Sequence, residues 1–257
     1  MDQKKKNITS SFSVKKCSGC GACVNCCPNE AISYCFDENG FTIPHVDESK
    51  CIGCNKCVRI CPYNNIQSNE TAISVIAAIN KNDSVLLCSS SGGVFYEIAK
   101  HVLNKGGVVF GCIMDDNFIV KHTFIDSIDD LHLLMKSKYV QSFPGFNYRR
   151  VKEFLNNGKR VLFSGTPCMI AGLLSFLGDI NYEGELITVD IVCHGVANQK
   201  MFSDYIEHLG SKNGKPIIKY TFRAKEKVKN GMECKLSYET KDEKYIRNWP
   251  EDSYNII

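Results

Sequence analysis

The sequence has 257 residues, 44% of them hydrophobic and 23% charged, and its 31 basic and 28 acidic residues give a formal net charge of +3. These proportions are typical of globular proteins and exclude a chain that is disordered throughout. So small a positive excess also argues against nucleic acid as a partner.

The N-terminal segment carries no recognisable signal for export. Its first sixteen residues lack an apolar core, and no stretch of the sequence reaches the roughly 18 apolar residues of a membrane span. Fifteen cysteines are therefore poorly explained by disulfides, which need an oxidising compartment. We expect a cytoplasmic protein, without a membrane span, whose cysteines bind metal.

Two cysteine runs of the form C-x2-C-x2-C-x3-C-P follow, and the second repeats the first at an offset of 34 positions. Three thiolates separated by two residues each can converge on one cubane from a tight loop. The fourth cysteine of such a run ligates the other cluster in two-cluster ferredoxins. The spacing predicts two [4Fe–4S] clusters, one held by Cys17, Cys20, Cys23 and Cys61 and the other by Cys51, Cys54, Cys57 and Cys27.

Zinc is the alternative metal for sets of four thiolates. Zinc ligands usually come as well-separated pairs, whereas here three cysteines fall within seven residues, so the spacing favours iron–sulfur clusters. Between the two runs, Phe36–Phe41 contains the dipeptide Asn39-Gly40, which predicts a β-hairpin. Residues 1–70 are therefore predicted to form an α+β ferredoxin-like domain.

Strand-like and helix-like segments alternate over residues 71–257, which predicts an α/β layered domain. From Pro216 onward the pattern becomes rich in strands. The predicted strands are Ile73–Ile79, Val108–Ile113, Arg160–Phe163, Leu186–Val192, Lys219–Phe222 and Cys234–Tyr238. The predicted helices are Gly92–Leu103, Asp126–Leu134, Arg149–Leu155, Met169–Leu177 and Asn198–Leu209.

Three loops of this domain are rich in glycine and small hydroxyl residues: Ser89–Gly93, Ser164–Cys168 and Cys193–Gly195. Backbone N–H groups in such loops can bind the phosphates of a nucleotide cofactor. Serine and threonine also cap helices without binding any ligand, and that interpretation stays open. No G-x-G-x-x-G follows a strand, so an ordinary Rossmann site is not supported.

Four motifs in order resemble one known family. They are SSSGGVF at Ser89–Phe95, KSKYVQS at Lys136–Ser142, VLFSGTPC at Val161–Cys168 and DIVCHGV at Asp190–Val196. With the two cysteine runs, they resemble the beta subunits of coenzyme F-420 hydrogenases and dehydrogenases that carry an N-terminal two-cluster ferredoxin domain. The resemblance implies that residues 71–257 bind FAD and that electrons pass between iron–sulfur clusters and an organic acceptor, which is F-420 in the named enzymes.

The resemblance also implies positions for the cofactor contacts. The flavin would meet Ser90, Ser91, Gly92, Gly93, Lys136, Ser137, Lys138, Thr166, Pro167 and His194. Cys168 and Cys193 match ligands of a third cluster, although family members usually continue beyond this point with further cysteines. We therefore expect the α/β domain and the third cluster to be incomplete at the C-terminus.

Plainer interpretations of single residues stay open. His194 can be a hydrogen-bonded loop histidine, and Lys136 and Lys138 can be solvated surface residues. Cys168 can in principle be a nucleophile, but the sequence shows no base to activate it.

Two functions from different classes follow from these residues. The first is an iron–sulfur flavoprotein oxidoreductase, because a flavin accepts a hydride and returns its electrons singly to one-electron clusters. The second is a ferredoxin-type carrier or docking module without catalysis of its own. The expected partner is a redox protein or a small organic electron acceptor. A third possibility is a truncated member of the family with no activity.

Overall fold

The computed structural model describes residues 6–11, 16–64, 74–229 and 231–248. The described chain is a mixed α/β protein with several sheets. Its helices are α1 (Ile8–Ser11), α2 (Ala22–Cys26), α3 (Lys56–Arg59), α4 (Asp83–Leu87), α5 (Val94–Asn104), α6 (Leu131–Leu134), α7 (Asn147–Asn156), α8 (Pro167–Leu177) and α9 (Gln199–Asn213). Its strands are β1 (Ile32–Phe36), β2 (Thr42–Val46), β3 (Val108–Met114), β4 (Val120–Ile125), β5 (Val161–Gly165), β6 (Leu186–Asp190), β7 (Lys219–Val228), β8 (Gly231–Glu239) and β9 (Lys244–Asn248).

The chain divides into two compact units that are each discontinuous in sequence. The first unit combines Met1–Ala72 with Phe143–Cys193, and the second combines Ile73–Ser142 with His194–Ile257. The predicted ferredoxin segment, residues 1–70, thus lies in the same unit as a later segment of the chain. The predicted functional boundary after residue 70 stays a prediction.

The predicted hairpin between the two cysteine runs is present in the first unit. Strands β1 and β2 pair antiparallel from Ile32 opposite Val46 to Phe36 opposite Thr42. Asp37 closes the loop, because its carboxylate accepts hydrogen bonds from the backbone N–H groups of Asn39 and Phe41 at 2.9 and 2.8 Å. Gly40 has a φ of +84°, which glycine adopts without strain.

The later segment of the first unit supplies a β-α-β element. Strands β5 and β6 are parallel, and α8 connects them. The side chains of Val161, Leu162 and Phe163 are fully buried, as expected for a strand covered on both faces. Helix α8 starts with Pro167 at its first turn, where the missing N–H costs nothing. Helices α7 and α8 both pack on α2, so the β-α-β element lies against the first cysteine run.

The second unit contains an antiparallel pair of strands and an antiparallel three-stranded sheet. Strand β3 pairs with β4, and β7, β8 and β9 form a meander in that order. A parallel bridge joins Val140 to Ala197. The core of this unit is aromatic: Phe202 of α9 packs between Tyr220 and Phe222 of β7 at centroid distances of 5.3 and 5.2 Å. The predicted strand-rich C-terminal part is confirmed over the described residues.

Two predicted elements differ from the structure. Residues 74–79, predicted with Ile73 as a strand, have no regular secondary structure. Val75 and Ile76 are 93% and 81% exposed, so this apolar run has neither a partner strand nor a core to pack on. Asp126–Leu134, predicted as one helix, is a 3-10 turn at Ile128–Asp130 followed by α6.

Some sequence features lie outside the described residues. They are Ile73 and the tail 249–257, which carried the expectation of an incomplete C-terminus. Among the described helices, none is both long enough and apolar enough to cross a membrane.

Candidate functional site

The first unit contains a cavity of about 280 Å³ beside the first cysteine run. We call it the first cavity. Its wall includes three cysteines of the first run and the last cysteine of the second run, which together are one of the predicted ligand sets. A fifth thiol, that of Cys168 at the start of α8, also lines it. The thiols are those of Cys17, Cys20, Cys23, Cys61 and Cys168.

Glycines give the first run the curvature that brings its thiols together. Gly19 and Gly21 have φ values of +69° and +82°, a region that side chains with a Cβ rarely adopt. Space is short as well, because a Cβ on Gly21 would lie 2.5 Å from the Tyr34 hydroxyl. The backbone N–H of Gly19 donates to the Cys17 sulfur at 3.4 Å, a contact that stabilises a thiolate.

A second, smaller cavity is lined by the other predicted set, Cys51, Cys54, Cys57 and Cys27. Gly53 and Asn55 have φ values of +70° and +64°, so this loop turns as the first one does. The backbone N–H of Ala31 donates to the Cys27 sulfur at 3.3 Å. The structure thus groups each set of four thiols in the crossed arrangement, and ligation of iron by them stays a prediction.

Burial disfavours the ionised form of three thiols of the first cavity, those of Cys17, Cys20 and Cys23. Burial raises the pKa of Cys20 to about 12, a backbone hydrogen bond from Ala22 opposes the rise, and the neighbouring thiols of Cys168, Cys17 and Cys61 add to it. Burial likewise raises the pKa of Cys17 and Cys23. Among the described residues, no three such side chains lie close enough to ligate one ion directly. Four thiols around a cavity instead suit a cluster whose iron atoms replace the protons.

Residues of the later segment hold the first run in place, and sequence reasoning missed them. The Tyr148 hydroxyl lies 2.6 Å from the Cys20 carbonyl oxygen and 2.9 Å from that of Met169. A Cβ on Gly172 would lie 3.1 Å from the Cys20 sulfur, so only glycine lets α8 approach this closely. No local pattern in the sequence indicates either contact.

Arg149 makes a second set of contacts to the first run. Its guanidinium donates to the carbonyl oxygens of Asn25 and Cys27 at 2.8 and 3.2 Å and to the Glu30 carboxylate at 2.7 Å. The Asn25 side chain in turn donates to the Gly145 carbonyl oxygen at 2.9 Å. The predicted ligand Cys27 is therefore held by a residue 122 positions away.

Two of the predicted flavin loops are in contact within the second unit. The backbone N–H of Ser137 donates to the Ser90 hydroxyl at 2.6 Å, which joins Ser89–Gly93 to the segment around Lys136. The Ser91 carbonyl oxygen accepts a hydrogen bond from the Lys225 ammonium. Gly93 has a φ of +77° and precedes α5. Gly92 lies so close to the Ala78 carbonyl oxygen that an added Cβ would be 2.7 Å from it.

The two predicted flavin-contacting lysines have different surroundings. The Lys138 ammonium donates to the carbonyl oxygens of Leu133 and Met135 at 3.0 and 2.7 Å, and burial lowers its pKa to about 8. Lys136 has a φ of +66°, and burial lowers its pKa as well. His194 is exposed. The Lys138 ammonium therefore donates hydrogen bonds to carbonyl oxygens of the protein. Over the described residues, the Lys136 ammonium makes no such hydrogen bond.

The remaining predicted residues lie in the first unit. Thr166 is the N-cap of α8 without a side-chain capping bond, and its hydroxyl lies 3.1 Å from the Cys168 sulfur. Pro167 is the first residue of α8. Cys193 is exposed. Of the two cysteines assigned to a third cluster, Cys168 lines the first cavity and Cys193 does not.

Comparisons with known proteins match both parts of the sequence. Residues 16–65 match the family described as the 4Fe-4S dicluster domain. Residues 158–250 match the family described as the C-terminal part of the coenzyme F420 hydrogenase/dehydrogenase beta subunit. A comparison with curated proteins found no match.

One solved structure is also similar, a chain of the xenon-derivatised F420-reducing [NiFe] hydrogenase complex from Methanosarcina barkeri. The identity is 15%, the match covers 69% of this chain and 60% of that chain, and the TM-score is 0.46. The chain thus spans less than two thirds of the length of this relative.

The N-terminal segment of the chain thus resembles a 4Fe–4S dicluster domain, and its later part is related to the beta subunits of the F420 hydrogenase and dehydrogenase family. The resemblance inferred from the four motifs is confirmed.

Proposed function

We propose that the chain transfers electrons between two [4Fe–4S] clusters in its first unit and an organic acceptor, with FAD as the intermediate carrier. The observation that carries the proposal is the grouping of eight cysteines around two cavities in the crossed sets. Each set holds three cysteines of one run and the fourth cysteine of the other, which is the ligand pattern of two-cluster ferredoxins.

The protein's contribution to the cluster chemistry is to bind and to shield. When bound, each cluster would accept and release one electron at a time. The thiols of Cys17, Cys20, Cys23 and Cys61 would hold the first cluster, and those of Cys51, Cys54, Cys57 and Cys27 the second. Partial burial of the first set limits the access of water to the sulfur atoms, and the N–H of Gly19 donates to the Cys17 sulfur. Both effects influence the reduction potential of such clusters.

FAD would add the conversion of a two-electron hydride into single electrons. The proposal of a flavin rests on the glycine- and serine-rich loop Ser89–Gly93 and on the order of the four sequence motifs, while the matching family at residues 158–250 is described by coenzyme F420. In the second unit, Ser90, Ser91, Gly92, Gly93, Lys136, Ser137 and His194 are the proposed contacts. Thr166 and Pro167 of the first unit stay predictions.

A second function is favoured by one observation in the same loops. The Lys138 ammonium and the Ser90 hydroxyl already have hydrogen-bond partners within the chain, so neither group needs a cofactor to satisfy it. This favours an electron carrier or docking module that holds clusters but no flavin. The acceptor would then be another redox protein rather than a small molecule.

The experiment that separates the two functions uses the whole chain, purified and reconstituted with iron and sulfide without oxygen. Both functions predict about eight irons and eight sulfides per chain. The flavoprotein also predicts stoichiometric FAD binding in a titration followed by flavin fluorescence. Clusters without FAD binding would establish the carrier, and stoichiometric zinc in place of iron would contradict both functions.

A further inference from the structure

The first cavity has one thiol more than a cubane needs. Its wall contains the four predicted ligands and, in addition, Cys168. A [4Fe–4S] cluster takes four thiolates, so one of the five has no place in the resting ligand set. Cys168 comes from the later segment of the chain, and nothing in the cysteine runs predicts it at this position.

Contacts at Gly172 and Tyr148 hold α8 beside Cys20, and a further contact lies within its first turn. Cys168 is the second residue of that helix, and its sulfur lies 3.1 Å from the Thr166 hydroxyl. One turn further on, Gly172 lies close to the Cys20 sulfur. The Tyr148 hydroxyl then ties the Met169 and Cys20 carbonyl groups together.

We propose that Cys168 is a reserve ligand of the first cluster, able to take the place of Cys20. The proposal rests on the cluster assignment of the proposed function and extends it to a fifth cysteine. In the exchange, the iron–sulfur bond to Cys20 breaks and a bond to Cys168 forms. Cys168 releases its thiol proton to solvent and the Cys20 thiolate takes one up, so neither iron nor sulfur changes oxidation state.

A reserve ligand would protect the cluster, because the loss of one bond between iron and a cysteine sulfur would otherwise begin the breakdown of the cluster. A peroxide can oxidise a cysteine thiolate to a sulfenate and be reduced to water, which removes that cysteine as a ligand. With Cys168 on the same wall, the cluster would keep four thiolates and the protein would keep its electron path. This role needs no further cysteines beyond those present in the sequence.

The test uses full-length chains reconstituted anaerobically with iron and sulfide. The variants are Cys20→Ser, Cys168→Ser and the double variant Cys20→Ser/Cys168→Ser. The matched control is Cys20→Ser/Cys35→Ser, because Cys35 lies on β1 and lines neither cavity. Iron and sulfide content and the EPR spectrum of the reduced protein are measured, and the signal of the second cluster reports that the first unit is folded.

We expect each single variant and the control to keep about eight irons, and the Cys20→Ser/Cys168→Ser variant to keep about four, as one cubane is lost. The proposal is overturned if Cys20→Ser alone falls to the iron content of the double variant. It is also overturned if Cys168→Ser alone loses a cluster, because Cys168 would then be an obligatory ligand. If the unmodified chain binds no iron, the proposed function fails first, so the two failures are distinguishable.

Discussion

The hydroxyl of Tyr148 lies 2.6 Å from the carbonyl oxygen of Cys20, although the two residues are 128 positions apart in the chain. The same hydroxyl is 2.9 Å from the carbonyl oxygen of Met169, so a single side chain links the first cysteine loop to α8. Tyr148 is fully buried, and burial raises its pKa well above the usual range. The hydroxyl therefore stays protonated and able to donate.

The first prediction concerns this hydroxyl. Tyr148→Phe keeps the ring against Phe163, 5.8 Å away between centroids, but removes the one hydroxyl proton that lies between the carbonyl oxygens of Cys20 and Met169. Removing one partner of a buried hydrogen bond costs about 1–3 kcal/mol, so we expect that loss in the free energy of unfolding. Urea denaturation under anaerobic conditions measures it. Tyr182→Phe is the control, because Tyr182 is less buried and its hydroxyl donates to the Leu177 carbonyl oxygen, outside the cysteine loops. An equal loss in both variants would contradict the role of Tyr148.

The second prediction concerns the close approach of α8. Gly172→Ala adds a methyl group 3.1 Å from both the Cys20 sulfur and the Tyr148 hydroxyl. Either neighbour must move, so we expect the first cluster to be lost faster than the second when an iron chelator is added. The control is Gly210→Ala in α9, where the nearest atom is an ordinary 3.4 Å away. There, alanine stabilises a helix by about 1 kcal/mol, and cluster loss should be unchanged. Equal chelation rates in both variants would count against the close packing.

The third prediction concerns the crossed ligands. Cys61→Ser, made in a Cys168→Ser background to prevent replacement, should remove the cluster held by Cys17, Cys20 and Cys23 and leave the other. The reason is the position of Cys61 on the first cavity, away from the run to which it belongs in sequence. EPR of the reduced protein distinguishes the two clusters. Loss of the other cluster alone would show that each run holds its own cubane.

The fourth prediction concerns the pH dependence of stability through Lys138. Its pKa is lowered from 10.5 to about 8 by burial, so between these values the unfolded chain binds more protons than the folded one. The contribution of Lys138 to the free energy of unfolding therefore increases as the pH rises from about 8 towards 10.5, and it decreases again as the pH falls back to 8. The slope is at most about 1.4 kcal/mol per pH unit. Subtracting the unfolding free energy of Lys138→Met from that of the unmodified chain, from pH 7 to 10, isolates the slope.

The exposed Lys105 gives the control for that measurement. Lys105→Met should leave the pH dependence of the unmodified chain in place. If Lys138→Met has the same slope as Lys105→Met, the pKa of Lys138 is not lowered by its surroundings, and the prediction is wrong.

Local patterns explain which parts of the molecule the sequence could predict. The spacing within each cysteine run, and the fourth-cysteine exchange, follow from the geometry of a tight loop, so both ligand groups could be predicted. Helix α5 and strand β3 follow from hydrophobic periodicity, and both are present close to their predicted bounds. The family resemblance rested on four motifs whose order, rather than any single one, was specific.

Long-range contacts explain what could not be predicted. The positions of Tyr148, Gly172 and Cys168 at the first cavity depend on how α7 and α8 pack on α2, which no local pattern encodes. The error at residues 74–79 has the same cause, because an apolar run predicts a strand only if another strand pairs with it. Hydrophobicity alone does not show that Val75 is 93% exposed.

The exchange of Cys27 and Cys61 between the two runs has a consequence for assembly. With both clusters bound, each cubane would be a covalent cross-link that closes the loop between the runs, much as a disulfide closes a loop and restricts the unfolded chain. Neither run could leave its cubane without withdrawing a ligand from the other. Loss of one cubane would therefore remove half of the cross-links and free cysteines of both runs, even where the other cubane stays bound.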